Sequence, residues 1–283
     1  METIKEKAML VDLSISVYTA RKFDKKVTRE VADQHHTTDK AGRYNKNLLP
    51  IDAPSYKAVM QASGAARTKH YALTLPWSDE GSRILPSQAY MKYTTALRAC
   101  HGEFNAAVAN FQADYPQLRD NALAVLNGLA NLDDYPSEQE LAKCFKFRTQ
   151  FLPFPDAEDF RVTGTAIDTD AIKAQIEADT KTAISGAMNE LYRRLFTVVN
   201  HMATKLADSD SIFRDSLVNN IVELCELLPS LNLTNDPVLN TIRETIEESL
   251  IVSPDVLRNS KVVRNDIRAK AEAIAANLNG YLM

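Results

Sequence analysis

The sequence predicts a mostly α protein of α+β class: an elongated multi-helix bundle with long antiparallel helices and a small N-terminal β element. Three observations point there. Residues 168–208 carry apolar or small side chains at Ile172, Ile176, Thr180, Ile184, Met188, Leu191, Leu195, Val198, Met202 and Leu206, in steps of three or four without a proline. That is the stripe of an amphipathic helix. A second stripe, Tyr90, Tyr93, Leu97, Cys100, Phe104, Val108, Phe111 and Tyr115, repeats close to the period of a coiled coil. Only eight glycines occur in 283 residues, too few for extensive sheets with tight turns or for glycine-rich phosphate loops.

At about 1.5 Å per residue the 168–208 helix runs roughly 60 Å, longer than a small domain is wide. It therefore needs partners along its length, and 87–115 is the expected one. Its stripe steps by about 3.8 residues on average, so the apolar face drifts around a straight helix and requires several neighbours. Asp168 and Asp170 suit its N-terminus. Gly186 marks a close helix crossing or is simply tolerated.

From the N-terminus, Leu13, Ile15 and Val17 alternate with Ser14, Ser16 and Tyr18, the period of a half-buried strand. Val27 and Val31 give the polar stretch that follows a short helical stripe, and 42–50 reads as loop. A helix over 53–67 enters through Pro54. Tyr71, Leu73 and Leu75 then alternate as a second strand, and 83–86 is a third. The helix opened by Ser87 stops at Tyr115, because Pro116 cannot donate the next backbone bond. Another helix covers 116–129, residues 131–136 turn, and Ser137 with Glu140 forms a capping box.

Beyond the long helix, 208–211 is a turn, and a helix with Leu217, Ile221 and Leu224 ends before Pro229. Asp236-Pro237 opens the next, with Ile242 and Ile246 on its apolar face. The last carries Ile267, Ala271, Ile274 and Leu278 up to Gly280. With no repeat and no low-complexity linker, the expected organisation is an N-terminal α+β region over 1–86 and a helical bundle region over 87–283, in one continuous body.

The net charge of −4 exerts no overall pull toward nucleic acid or anionic membrane, yet it is unevenly spread. Residues 21–46 hold eight Lys or Arg against four Asp or Glu. Residues 208–255 hold ten acidic against two basic, and 258–270 five basic against one acidic. Adjacent acidic and basic helices pair with each other or with a neighbouring copy. Alternatively Arg21, Lys22, Lys25, Lys26 and Arg29 form a phosphate-binding stripe. A second candidate surface is the phenylalanine cluster, in which Phe147, Phe151 and Phe154 are either core under a loop or a partner-docking face.

The P-loop, dinucleotide, zinc-protease and hydrolase signatures are all missing, so neither catalytic residues nor a cofactor are expected. His35 and His36 with Asp33 and Asp39 fit a solvated turn better than a metal site. Cys100, Cys144 and Cys225 read as free thiols on apolar faces. Tyr192-Arg193-Arg194 suits surface pairing. No apolar run approaches the roughly 20 residues of a membrane span, and the opening METIKEKAML lacks a signal-peptide pattern, so a cytoplasmic protein, in the host cell if phage-encoded, is expected.

Residues 10–22, LVDLSISVYTARK, resemble the start of a phage and mobile-element family of unknown function. Its members begin with a strand of the form L-x-x-L-x-I-S-x-W-x-[AG]-R-K. Leu10, Leu13, Ile15, Ser16, Ala20, Arg21 and Lys22 match it, with Tyr18 in the aromatic place. Similar in layout are a proline-containing extended segment over 71–86 and a long helix reaching Tyr115. The resemblance implies a gene context beside a MoxR-type AAA+ ATPase and a von Willebrand A-domain protein like a cobalt-chelatase subunit. The expected function is therefore non-enzymatic: self-association into a homo-oligomer, as adaptor or assembly partner of an AAA+ ATPase. Nucleic-acid binding in replication or recombination, and inhibition of a host defence protein, are the alternatives.

Overall fold

The computed structural model describes residues 4–50, 52–78, 81–154, 169–208 and 213–282. In chain order its elements are α1 (Ile4–Lys7), β1 (Ala8–Ser16), β2 (Arg21–Phe23), α2 (Lys25–Gln34), β3 (Asn45–Asn47), α3 (Pro54–Ala72), β4 (Leu75–Pro76) and β5 (Arg83–Pro86). Then come α4 (Tyr90–Leu126), α5 (Glu138–Lys143), β6 (Lys146–Leu152), α6 (Thr169–Ala207), α7 (Ser216–Leu231), α8 (Pro237–Leu250), α9 (Pro254–Asn259) and α10 (Lys261–Asn279). The protein is mostly α with a small antiparallel sheet near the N-terminus, ordered β4-β5-β1-β6. Ala8 pairs with Pro86 and Val11 with Arg83, while Leu75 pairs with Ile84.

The chain forms two compact units, each assembled from separated segments. The first comprises Met1–Asp12, Tyr71–Tyr93 and Gln150–Met283, the second Leu13–His70 and Thr94–Thr149. The boundary expected at 86/87 falls inside the first unit, because β5 runs through one 3-10 turn, Ser87–Ala89, directly into α4.

In the first unit α6 packs along α10 and against α7. Ala187, Leu191, Leu195, Val199, Met202 and Leu206 bury one face of α6, and Ile267, Ala271, Ala275 and Leu278 bury that of α10. The expected partner of α6, residues 87–115, lies from Thr94 onward in the other unit. The small alanines of α10 allow its backbone to approach α6, which periodicity alone does not reveal. Val199 is buried where Val198 was expected, a drift that follows from the long step of the stripe. No heavy atom lies within 4 Å of a Cβ built on Gly186, so the described residues form no close crossing there. Asp168 and residues 209–211 lie outside the described residues.

In the second unit the core gathers Leu48, Leu49, Tyr56, Val59, Phe104, Phe111, Tyr115, Tyr135 and Leu141. Phe111 is its centre, with ring centroids 5.5 Å from Tyr56, 5.9 Å from Tyr115 and 5.9 Å from Phe145. Here the helix does not stop at Tyr115. Pro116 lies inside α4, costing about 3 kcal/mol for a lost backbone bond and a clash one turn back. Burial of Phe111 and Tyr115 before it and Ala122 after it offsets that cost, and Tyr115 Oη donates to Pro136 O at 3.0 Å. Pro229 is likewise inside α7, flanked by buried Leu227, Leu228 and Leu231.

Two further expectations are corrected. Tyr71 is in the last turn of α3, not in a strand, and only Leu75–Pro76 is extended. Arg194 donates to the carbonyls of Tyr71, Ala72 and Thr74 at 2.9, 3.0 and 2.8 Å, satisfying the acceptors that a helix end leaves open. In α2 the buried residues are Thr28 and Ala32 rather than Val27 and Val31. Thr28 Oγ1 donates to Asp24 O at 2.7 Å and accepts from Tyr44 N at 3.0 Å, and those bonds set the helix's rotation.

The capping box of Ser137 and Glu140, the Asp236 cap of α8 and the stop at Gly280 stand where expected. No helix among the described residues is long and apolar enough to cross a membrane.

Leu195 is fully buried in the α6 face. Leu195→Asp places an unpaired carboxylate there and is expected to lower stability by at least about 3 kcal/mol. Thermal denaturation checks it; an unchanged midpoint would show this face to be exposed.

Candidate anion-binding face

The second unit turns from β1 into β2 at Ala20, which is buried and holds a left-handed backbone with φ 50. A β-branched side chain makes that conformation costlier still. Ala20 O accepts from Leu48 N at 2.8 Å, which brings β3 alongside β2. The two strands pair antiparallel, Arg21 opposite Asn47, Lys22 opposite Lys46 and Phe23 opposite Asn45. Alternation along strands puts Arg21, Phe23, Asn45 and Asn47 on one side, and all four are exposed. Lys46 points the other way and is only 6% exposed.

A buried ammonium needs partners. Lys46 Nζ lies 2.7 Å from Asp134 Oδ2 and 3.3 Å from Asp24 Oδ2, and donates to Leu129 O at 2.9 Å. Asp24 also caps α2, its Oδ1 accepting from Lys26 N and Val27 N at 3.1 Å. One lysine therefore ties the ribbon, the start of α2 and the 3-10 turn Leu132–Asp134 together. The hydrogen bond from the Val27 amide, with those from Lys46 and the Lys26 amide, holds the Asp24 carboxyl below the usual carboxylate range. Burial acts to push the Lys46 ammonium down, but its bonds to Asp134 and Asp24 outweigh that and hold it above the ordinary lysine value.

Of the five cations expected to form a stripe, Lys25, Lys26 and Arg29 lie exposed on α2 and Arg21 on the outer face of the ribbon. Lys22 faces the clamp instead, 4.0 Å from Asp134, and Lys26 pairs with Glu30 at 3.8 Å. Among the described residues no carboxylate pairs with Arg21, Lys25 or Arg29. Sequence reasoning missed the remaining members of this face. The Arg43 guanidinium sits 4.6 Å from the centroid of the exposed Phe23 ring. Next to the ribbon opens a cleft of about 880 Å³, lined by Ala20, Arg21, Asn45, Asn47, Leu49, Asp52, Tyr56, Lys57 and Met60 with Thr19. Asn45-Lys46-Asn47 holds no apolar residue, so neither strand nor cleft registers in a hydrophobic pattern.

The other charged segments differ. Arg258 bonds Asp215 and Asp255, Arg268 pairs with Glu272 and Lys270 with Asp266. Arg264 donates to the backbone carbonyl of Leu257 at 3.1 Å. Arg193 and Arg194 both engage Glu190. Those cations are committed inside the fold.

The three phenylalanines do not share a surface. Phe154 is buried edge-on to Trp77 at 4.9 Å. Phe151, 41% exposed, rests against Tyr90 and Tyr93 in the first unit. Phe147 belongs to the second, stacked on His101 at 4.7 Å and tilted against Phe104. Burial pushes the Cys225 thiol up to about 12 and raises that of Cys100, which keeps both protonated at neutral pH. Among the described residues no group of His, Cys, Asp and Glu is placed to hold a metal ion. Comparison of the chain with family models, curated proteins and solved structures finds no match.

Lys46→Met leaves Asp24 and Asp134 facing one another without a cation, and is expected to cost about 3 kcal/mol in urea unfolding. Asp24, held low, contributes stability above its ordinary value of 3.8 that is lost as pH falls below it. Lys46, held high, contributes stability below its ordinary value of 10.5 that is lost as pH rises through the elevated one. The parent's stability should therefore fall at both extremes; a Lys46→Met variant as stable as the parent would dismiss the clamp.

Proposed function

We propose that this protein acts by binding, and that its second unit engages nucleic acid through phosphate contacts from Arg21, Lys25 and Arg29. The observation carrying this reading is that these exposed cations have no carboxylate partner among the described residues, and that Arg21 shares the outer face of the ribbon with an exposed aromatic ring, Phe23. Of the cations of 258–270, by contrast, Arg258, Arg268 and Lys270 pair with carboxylates within the fold. Unpaired cations on a rigid ribbon and helix bind phosphates by releasing condensed counterions, without catalytic machinery. The resemblance over residues 10–22 implies a context, a phage or mobile-element protein encoded beside an AAA+ ATPase and a von Willebrand A-domain protein.

A second reading, self-association as an adaptor or assembly component, rests on the first half of α6. There Ile172, Ile176 and Ile184 are only half-buried among the described residues, whereas the second half of the same helix is packed. A half-covered apolar stripe is the kind of surface a second copy covers.

Fluorescence anisotropy with a labelled single-stranded oligonucleotide over a salt series is expected to show steep salt dependence. Replacing Arg21, Lys25 and Arg29 by alanine should flatten the slope by about two. No retention at low salt would remove the reading. Sedimentation at micromolar concentration tests the second: Ile176→Asp should convert an oligomer to monomer, and a monomeric parent would rule self-association out.

A further inference from the structure

Resting on the nucleic-acid reading, we propose that the cleft beside the β2–β3 ribbon takes a single unstacked nucleotide, so that the protein selects single strands over duplex. The cleft has one polar wall and one wall that is apolar apart from Lys57. The polar wall is the outer face of the ribbon, with Arg21 paired across from Asn47 and Asn45 one step further along β3. The opposite wall is the first turns of α3, where Tyr56 and Met60 line the cleft beside Lys57, and Ala20 and Leu49 add further apolar surface.

A nucleotide has the matching division. Its base has two apolar faces and an edge of donors and acceptors, and its phosphate is an anion. A carboxamide offers both a donor pair and an acceptor, so Asn45 and Asn47 can read a base edge that lies between them and the apolar wall. Arg21 belongs both to the cleft and to the unpaired cationic face, which places the phosphate at that end. Asp52 also lines the cleft, and its carboxylate disfavours a second phosphate inside. The base therefore enters and the backbone stays outside.

The volume of about 880 Å³ is within the range of sites that enclose small organic ligands. The walls are preorganised: the ribbon is fixed by the Lys46 clamp and by the Leu48 N to Ala20 O bond, and Tyr56 is fixed by donating its hydroxyl to Tyr18 O at 3.2 Å. Outside the cleft, Phe23 is 37% exposed with one face under Arg43, which leaves ring surface for a neighbouring base. A duplex keeps its bases stacked and offers no free base to a cleft of this kind.

Anisotropy titrations of the full chain with one oligonucleotide sequence, as single-stranded DNA, single-stranded RNA, duplex DNA and an abasic strand, test this. The expected result is single-strand affinity at least about tenfold above that for duplex and abasic strands; whichever of DNA and RNA binds tighter identifies the source of the nucleotide. The double substitution Asn45→Ala, Asn47→Ala should abolish that preference with the salt slope unchanged. Met60→Glu, an exposed position on the helical wall, should do the same and serves if the ribbon variant misfolds. Equal, salt-sensitive binding of all four probes would overturn the cleft assignment and leave the phosphate reading standing. A preference that survives in both variants would also overturn the assignment. No binding of any probe at low salt would overturn both.

Discussion

The second unit depends on the burial of one ammonium group. Lys46 can sit inside only because Asp24 and Asp134 arrive with it, from the start of α2 and from the distant 3-10 turn Leu132–Asp134. That requirement brings together segments with little apolar surface of their own. The ribbon is three residues per strand, too short to hold by its ladder alone. Its outward residues, Arg21, Phe23, Asn45 and Asn47, are presented in a fixed arrangement because their inward neighbour is anchored.

Charge is used in two ways along the chain. In the first unit, arginines close helix ends and join neighbouring elements: Arg194 satisfies three carbonyls near the end of α3, and Arg258 reaches Asp215 across forty-three residues. With Arg268–Glu272 and Lys270–Asp266, these contacts engage much of the positive charge of the C-terminal helices. In the second unit Asp24 and Asp134 are turned inward to Lys46 and Glu30 pairs with Lys26, while Arg21, Lys25 and Arg29 have no carboxylate partner among the described residues. A formal count of charges does not distinguish the two segments. The position of the carboxylates does.

Backbone strain lies at the same place. Ala20 keeps a left-handed conformation while buried, held by its carbonyl bond to Leu48 and by close packing. Such a conformation persists where its surroundings over-determine it. It sets the angle at which β2 leaves β1 and so the position of Arg21 relative to Tyr56 across the cleft.

The sequence by itself determined the mostly helical class, the apolar faces of α6 and α10, the β1 alternation and the caps at Ser137, Asp236 and Gly280, because periodicity and capping are local properties of the chain. It misjudged Pro116 and Pro229, where the local cost of a proline is outweighed by core burial that no window of sequence contains. It placed the α2 stripe on valines, where a threonine's hydrogen bonds to Asp24 and Tyr44 decided the rotation. Of the candidate site, the cluster of cations was legible as composition. Which of them stay unpaired, that Arg21 meets asparagines and Lys57 around a cleft, and that a lysine is buried beneath were decided by tertiary structure alone. Pairing and burial depend on residues brought together from distant parts of the chain, and polar side chains leave no periodic trace of the partners they will meet.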